Sequence, residues 1–151
     1  MQTTTATTEE VVRKLIEVCH DGRDGFQVAA DAVDDAPLKA ELLRYSRQRA
    51  QFISDLELEM HELGRKPPVH GTIAGMLRRG WLHLSNVISR GHESAILSAC
   101  HRADEAAVDV YAEAAEADLP TGLQELVAAQ NRVIQSVHER IGALCNGARM
   151  D

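Results

Sequence analysis

Apolar residues recur along this chain at alternating steps of three and four, the repeat of an α-helix with one face turned inward. From Thr8 to Val33 the stripe runs Val12, Leu15, Cys19, Gly22, Phe26, Ala29 and Val33. It predicts a first helix with Thr8 as N-cap and with Glu9 and Glu10 favourable in the first turn. A second helix is predicted after Asp34, Asp35 and Ala36, with Pro37 suited to its first turn. Its stripe is Leu38, Leu42, Tyr45, Phe52, Leu56 and Leu63, and Gly64 with Pro67–Pro68 ends it.

Thr72 caps a predicted shorter helix that turns Ile73, Leu77, Trp81, Leu84 and Ile88 inward and stops near Gly91. A third long helix, His92 to Asp118, carries Ile96, Leu97, Cys100, Ala107, Tyr111 and Ala114 on one side. Leu119–Pro120 makes a tight turn and Thr121 caps a fourth. The last stripe is Leu123, Leu126, Val133, Val137, Ile141 and Leu144, fraying after Gly147.

The four long helices have about 25 residues each, roughly 37 Å at the usual rise. Matched lengths predict an all-α four-helix bundle. The first and last links are short, so each pair forms an antiparallel hairpin. The middle link, about 30 residues with its own helix, can return along the bundle, which is the ferritin-like connectivity. We expect a single domain over residues 1–151, with residues 1–7 disordered.

One position breaks the pattern. Four residues beyond Tyr45 the second stripe places Arg49, a guanidinium that cannot deprotonate and needs a carboxylate and further acceptors if buried. Asp104 keeps the inward rhythm of the third helix, and Gln130 falls between Leu126 and Val133 on the fourth. Antiparallel pairing puts Arg49 opposite Gly22, where the missing side chain leaves room. An Arg49–Asp104 ion pair is therefore predicted, with Gln130 completing the hydrogen bonds and Tyr45 or Tyr111 adding a hydroxyl. Such a layer sets helix register at some expense of stability.

Metal chemistry is the competing reading. Di-iron bundles present Glu from two helices and Glu-x-x-His from two others, all inward. Glu17 to His20 has that spacing, but Glu17 lies about 160° from Cys19, on the solvent side. Gln135 to His138 repeats the problem, and Arg49 stands where a ligand is needed. A smaller site survives: His101, Asp104 and His138, where two imidazoles and a carboxylate suit zinc or iron(II).

Composition narrows the classes. Hydrophobic residues make up 44% but aromatic residues only 3%, so the core is aliphatic, as closely packed helices require. A net charge of −7 argues against sequence-independent nucleic-acid binding. Three cysteines without CxxC spacing suit a reduced, cytoplasmic setting. No run approaches the ~20 apolar residues of a membrane span, and Met1 to Thr8 has no signal-peptide pattern. Cys19 and Cys100 read as small apolar fillers. Glu57, Glu59, His61 and Glu62 read as a solvated face. Arg78, Arg79, Trp81 and His83 could mark a contact surface, although Trp81 also suits packing of the crossover. No phosphate loop, nucleophile elbow or triad spacing is present.

Several stretches are similar to a known bacterial family. They are Leu15 through Gly22 with Gly25–Phe26; Arg49–Ala50–Gln51–Phe52; and Gly71–Thr72 through Arg79–Gly80–Trp81. Ala95–Ile96–Leu97 leading into Asp104–Glu105–Ala106–Ala107 with Tyr111 follows, then Leu119–Pro120 with Gln130 and His138. Together they resemble the uncharacterised ferritin-like family named domain of unknown function 2383. The resemblance implies the bundle fold and a loose tie to stress or metal-related proteins, and no activity. The family's E-x-G-E-D run reads His101–Arg102–Ala103–Asp104–Glu105 here, so a histidine replaces a glutamate.

The expectation is thus a non-catalytic, stress-associated, cytoplasmic bundle without a cofactor, acting through self-association or an unidentified protein partner. The alternatives are a metal-binding or iron-oxidising protein, and an adaptor working through the crossover helix.

Overall fold

The computed structural model describes residues 7–66, 80–88 and 92–150. Their regular structure is helical, with no strand among them. Helix α1 spans Thr8–Ala32 and α2 spans Ala36–Glu62. A 3-10 turn at Trp81–His83 leads into the short α3, Leu84–Ile88. Helices α4 (Glu93–Ala103) and α5 (Glu105–Ala115) follow, then α6 (Thr121–Met150).

Local chemistry sets the ends. Thr7, rather than Thr8, caps α1: its hydroxyl accepts from Glu10 N–H while Glu10 returns to Thr7 N–H, a reciprocal box. Thr7 is tied to the helix by these two bonds, and residues 1–6 lie outside those described. Asp35 caps α2 through Leu38 N–H at 2.9 Å. Gly64, at φ +70°, ends that helix, with Arg65 N–H returning to Met60 O at 2.9 Å.

The crossover departs from expectation. Gly80 takes φ +89°, outside the helical region, so Trp81 begins a new turn instead of continuing a helix from Thr72. Thr72, Ile73, Leu77 and Gly91 lie outside the described residues. Helix α6 extends past Gly147 to Met150.

Helices α1 and α2 form an antiparallel pair with their most extensive contact along its length. Lys39 Nζ donates to Ala30 O at 2.6 Å, Ser46 Oγ to Arg23 O at 2.7 Å, and Arg65 pairs with Glu9 at the far end. Helix α6 packs along both α4 and α5 and touches α2, while α1 also meets α4 and α5. Helices α4 and α5 are joined through Asp104, whose N–H reaches Cys100 O at 2.9 Å and whose carbonyl receives Val108 N–H at 3.2 Å. Asp104 has ψ −7°, flatter than a helical residue, and the rod is interrupted there.

The apolar interior falls into two clusters. One gathers Leu15, Cys19, Phe52, Leu56, Tyr111 and Ile134; the other gathers Phe26, Tyr45, Trp81, Leu97, Cys100 and Ile141. The division falls at Gly22 on α1, Arg49 on α2 and Asp104 between α4 and α5. Two stripes differ from expectation. On α6 the buried set is Leu123, Val127, Ile134, Val137, Ile141 and Cys145, with Leu126, Val133 and Leu144 at its margin. On α2, Met60 is fully buried while Leu63 is 36% exposed.

Candidate functional site

The division between the clusters is the most polar place in the interior. Arg49 Nη1 donates to Asp104 Oδ1 and Nη2 to Asp104 Oδ2, both at 2.7 Å. Both side chains are 0% exposed. This bidentate fork matches guanidinium to carboxylate with two parallel charge-assisted bonds. Burial alone pulls the guanidinium pKa down, but Asp104 more than offsets this and leaves it raised. The positive charge is permanent. The Phe26 ring lies 5.2 Å from Arg49 Cζ, a cation–π contact. Arg49 Nε has no hydrogen-bond partner among the described residues.

The predicted pairing of Arg49 with Asp104 is present, but its surroundings differ from expectation. Gln130 makes its hydrogen bonds elsewhere. Tyr111 Oη donates to Gln130 Oε1 at 2.7 Å, and Gln130 Nε2 donates to Phe52 O at 3.3 Å. Since the phenol proton goes to Gln130, the Cys19 thiol donates to Tyr111 Oη, at 3.1 Å. A directional relay therefore runs from Cys19 through Tyr111 and Gln130 to the α2 backbone, beside the guanidinium. Burial pushes the Cys19 thiol up to about 11, and Tyr111 is raised well above its usual value, first by burial. With both raised, thiol and phenol keep their protons near neutrality, which suits a relay that holds position.

Tyr45 does not join the layer either. Its hydroxyl donates to Glu41, which also receives Arg140 Nε at 2.9 Å and Nη2 at 3.1 Å. Tyr45 is four residues from Arg49 but its hydroxyl extends to the seam of α2 with α6. The Arg140 bonds hold the Glu41 carboxyl below its usual range, and burial with Glu41 pushes Tyr45 up to about 12.

The metal candidate is rearranged. His101 and His138 do meet, stacked with ring centroids 4.0 Å apart. Asp104 is committed to Arg49, and the carboxylate beside the histidines is its neighbour Glu105. One residue turns a helix by 100°, enough to carry Asp104 into the core and Glu105 to the exposed seam. Burial, then the neighbouring His138, pull the His101 pKa down.

On the crossover, Trp81 is 5% exposed and packs edge-on to Phe26, with centroids 5.3 Å apart. A Cβ on Gly25 would lie 2.1 Å from Trp81 Cε3, so the indole occupies the space that glycine leaves. Trp81 is therefore a packing residue and not an exposed contact. His83 is exposed, and Arg78 and Arg79 lie outside the described residues.

Sequence reasoning passed over the buried Asp21 and Ser46. Ser46 had a signal: it lies three residues before Arg49, on the same face. The role of Cys19 as a donor had none, because an inward thiol reads as a filler.

The model for the domain of unknown function (DUF2383) matches residues 7–117. The chain belongs to that family. The DUF2383 match spans α1 through α5, so it contains Cys19, Arg49, Asp104 and Tyr111, while Gln130 and His138 lie beyond it. Comparison with curated proteins gives no match. No helix among the described residues of this DUF2383 chain is long and apolar enough to cross a membrane.

Proposed function

We propose that this chain is a non-catalytic, ferritin-like four-helix bundle in which a structural ion pair takes the place of a central metal centre. The observation that carries the reading is the Arg49–Asp104 fork, fully buried with both carboxylate oxygens engaged. A di-iron centre needs inward carboxylates free to ligate cations, and here a tethered cation occupies that position. The residues present do not fit that group. Two antiparallel pairs and the long segment between α2 and α4 support the ferritin-like connectivity. The layer fixes register, and the protein acts in the cytoplasm through its surface, by self-association or with a protein partner. A role under stress follows only from the family resemblance.

The test is aerobic addition of iron(II) to protein purified without a chelating tag. Ferric absorbance should grow no faster than in buffer, and total metal should stay below two ions per chain. Accelerated oxidation, or two tightly held ions per chain, would overturn the reading.

A further inference from the structure

A second constellation lies outside the core, on the seam between the α4–α5 rod and α6. His101 comes from the last turn of α4, Glu105 opens α5 four residues later, and His138 belongs to α6. One ligand atom from each lies within 4.8 Å of the other two. The imidazoles are stacked at an interplanar angle of 16°, so their ring edges run side by side. His138 Nδ1 is shielded from solvent without a hydrogen-bond partner among the described residues.

The backbone of α6 is trimmed beside this cluster. A Cβ on Gly142, one turn after His138, would stand 3.1 Å from His101 Nε2. Glycine inside a long helix is unfavourable by about 1 kcal/mol against alanine, and the space it leaves here is filled by an imidazole edge. A hollow of about 440 Å³ lined by Ser98, His101, Arg102, Gly142, Cys145 and Asn146 opens beside it to solvent.

We infer that His101, Glu105 and His138 form a binding site for one divalent transition-metal ion of the zinc or iron(II) class. Two imidazoles and one carboxylate are the donor set such ions take when positions remain for water. A tetrahedral ion holds its ligands about 2.0–2.1 Å away, which sets donor atoms about 3.4 Å apart. From separations of up to 4.8 Å this is a contraction in which the two stacked imidazoles rotate out of their stack, a movement open to side chains at a half-buried seam. Glu105 is exposed, so the ion exchanges with solvent, and it bridges α6 to the rod beside it. The site is independent of the Arg49–Asp104 fork and asks nothing of Asp104.

The test is a cobalt(II) and zinc(II) titration of the full chain after dialysis against a chelator. One equivalent of cobalt(II) should bind with the visible absorption of a low-coordinate site and be displaced by zinc(II). His138→Ala and the exposed substitution Glu105→Gln should each weaken zinc binding at least tenfold with helicity unchanged. His61→Ala, outside the cluster, should leave binding intact. Glu105→Gln binding zinc as tightly as the parent chain would overturn the site, as would uptake of several equivalents without saturation. Should His138→Ala lose helicity, the Glu105→Gln result decides alone.

Discussion

The Cβ that Gly22 lacks would stand 2.5 Å from Arg49 Nη1 and 3.3 Å from Arg49 Cγ. The glycine on α1 and the arginine on α2 are two halves of one steric arrangement. The room for a buried guanidinium comes from a side chain the opposing helix does not have.

Gly22→Ala should therefore destabilise the protein by about 1–3 kcal/mol, the usual range for overpacking. Gly147 has nothing within 4 Å of its would-be Cβ. Gly147→Ala should gain about 0.5–1 kcal/mol from helix propensity. Urea melts of the two variants should shift in opposite directions; equal shifts would mean that Arg49 yields easily.

Arg49→Leu leaves Asp104 buried without its partner and should cost about 3–5 kcal/mol. Arg49→Leu combined with Asp104→Leu should recover much of that loss. Thermal melts of the two single variants and the double one measure the coupling. Strict additivity would show that the fork contributes nothing as a pair.

Tyr111→Phe removes the link of the relay and leaves the Cys19 thiol and Gln130 Oε1 without their partner. A loss of about 1–3 kcal/mol is expected. In the intact protein Cys19, with its thiol pushed up to about 11 and fully buried, should react with a thiol reagent at pH 8 only as fast as the fold opens. Rapid labelling of Cys19 in native buffer would contradict the burial.

The Glu41 carboxyl is held low in the folded chain by Arg140. Its contribution is present above the unfolded value, about 4.3, and is lost as pH falls through the depressed folded value. Glu41→Gln should flatten that part of the acid-denaturation curve while leaving the slope above pH 6 unchanged. An unaltered acid limb would show that the exposed Arg140 partner is screened by solvent.

The all-helical character and the Arg49–Asp104 pair are legible because each rests on a three-four rhythm that single residues interrupt. Legibility fails where the rhythm has two solutions. Leu126 with Val127, and Val133 with Ile134, are adjacent aliphatic pairs, and either member completes a stripe. Packing against α5 and α2 selects Val127 and Ile134. Asp104 and Glu105 pose the same ambiguity among carboxylates, and the interruption of the rod at Asp104, which no residue pattern announces, sits at that point. Gly80 could be read as a tolerated glycine inside a helix; only its positive φ shows that a turn begins there. Hydroxyl partners were the hardest to foresee. Tyr45 and Tyr111 both follow inward stripes, yet the first reaches the surface seam and the second the interior, according to which helix each abuts.

The positive charge at the middle of this protein is encoded in its own chain. A fold centred on a bound ion depends on trace-element supply and comes apart when a scavenger strips that ion away. Here the counter-charge to Asp104 is synthesised with the polypeptide, cannot be diluted and cannot be lost. Assembly of the interior should proceed equally well in starved and replete surroundings, and any ion taken up at the edge is left free to come and go without endangering the whole.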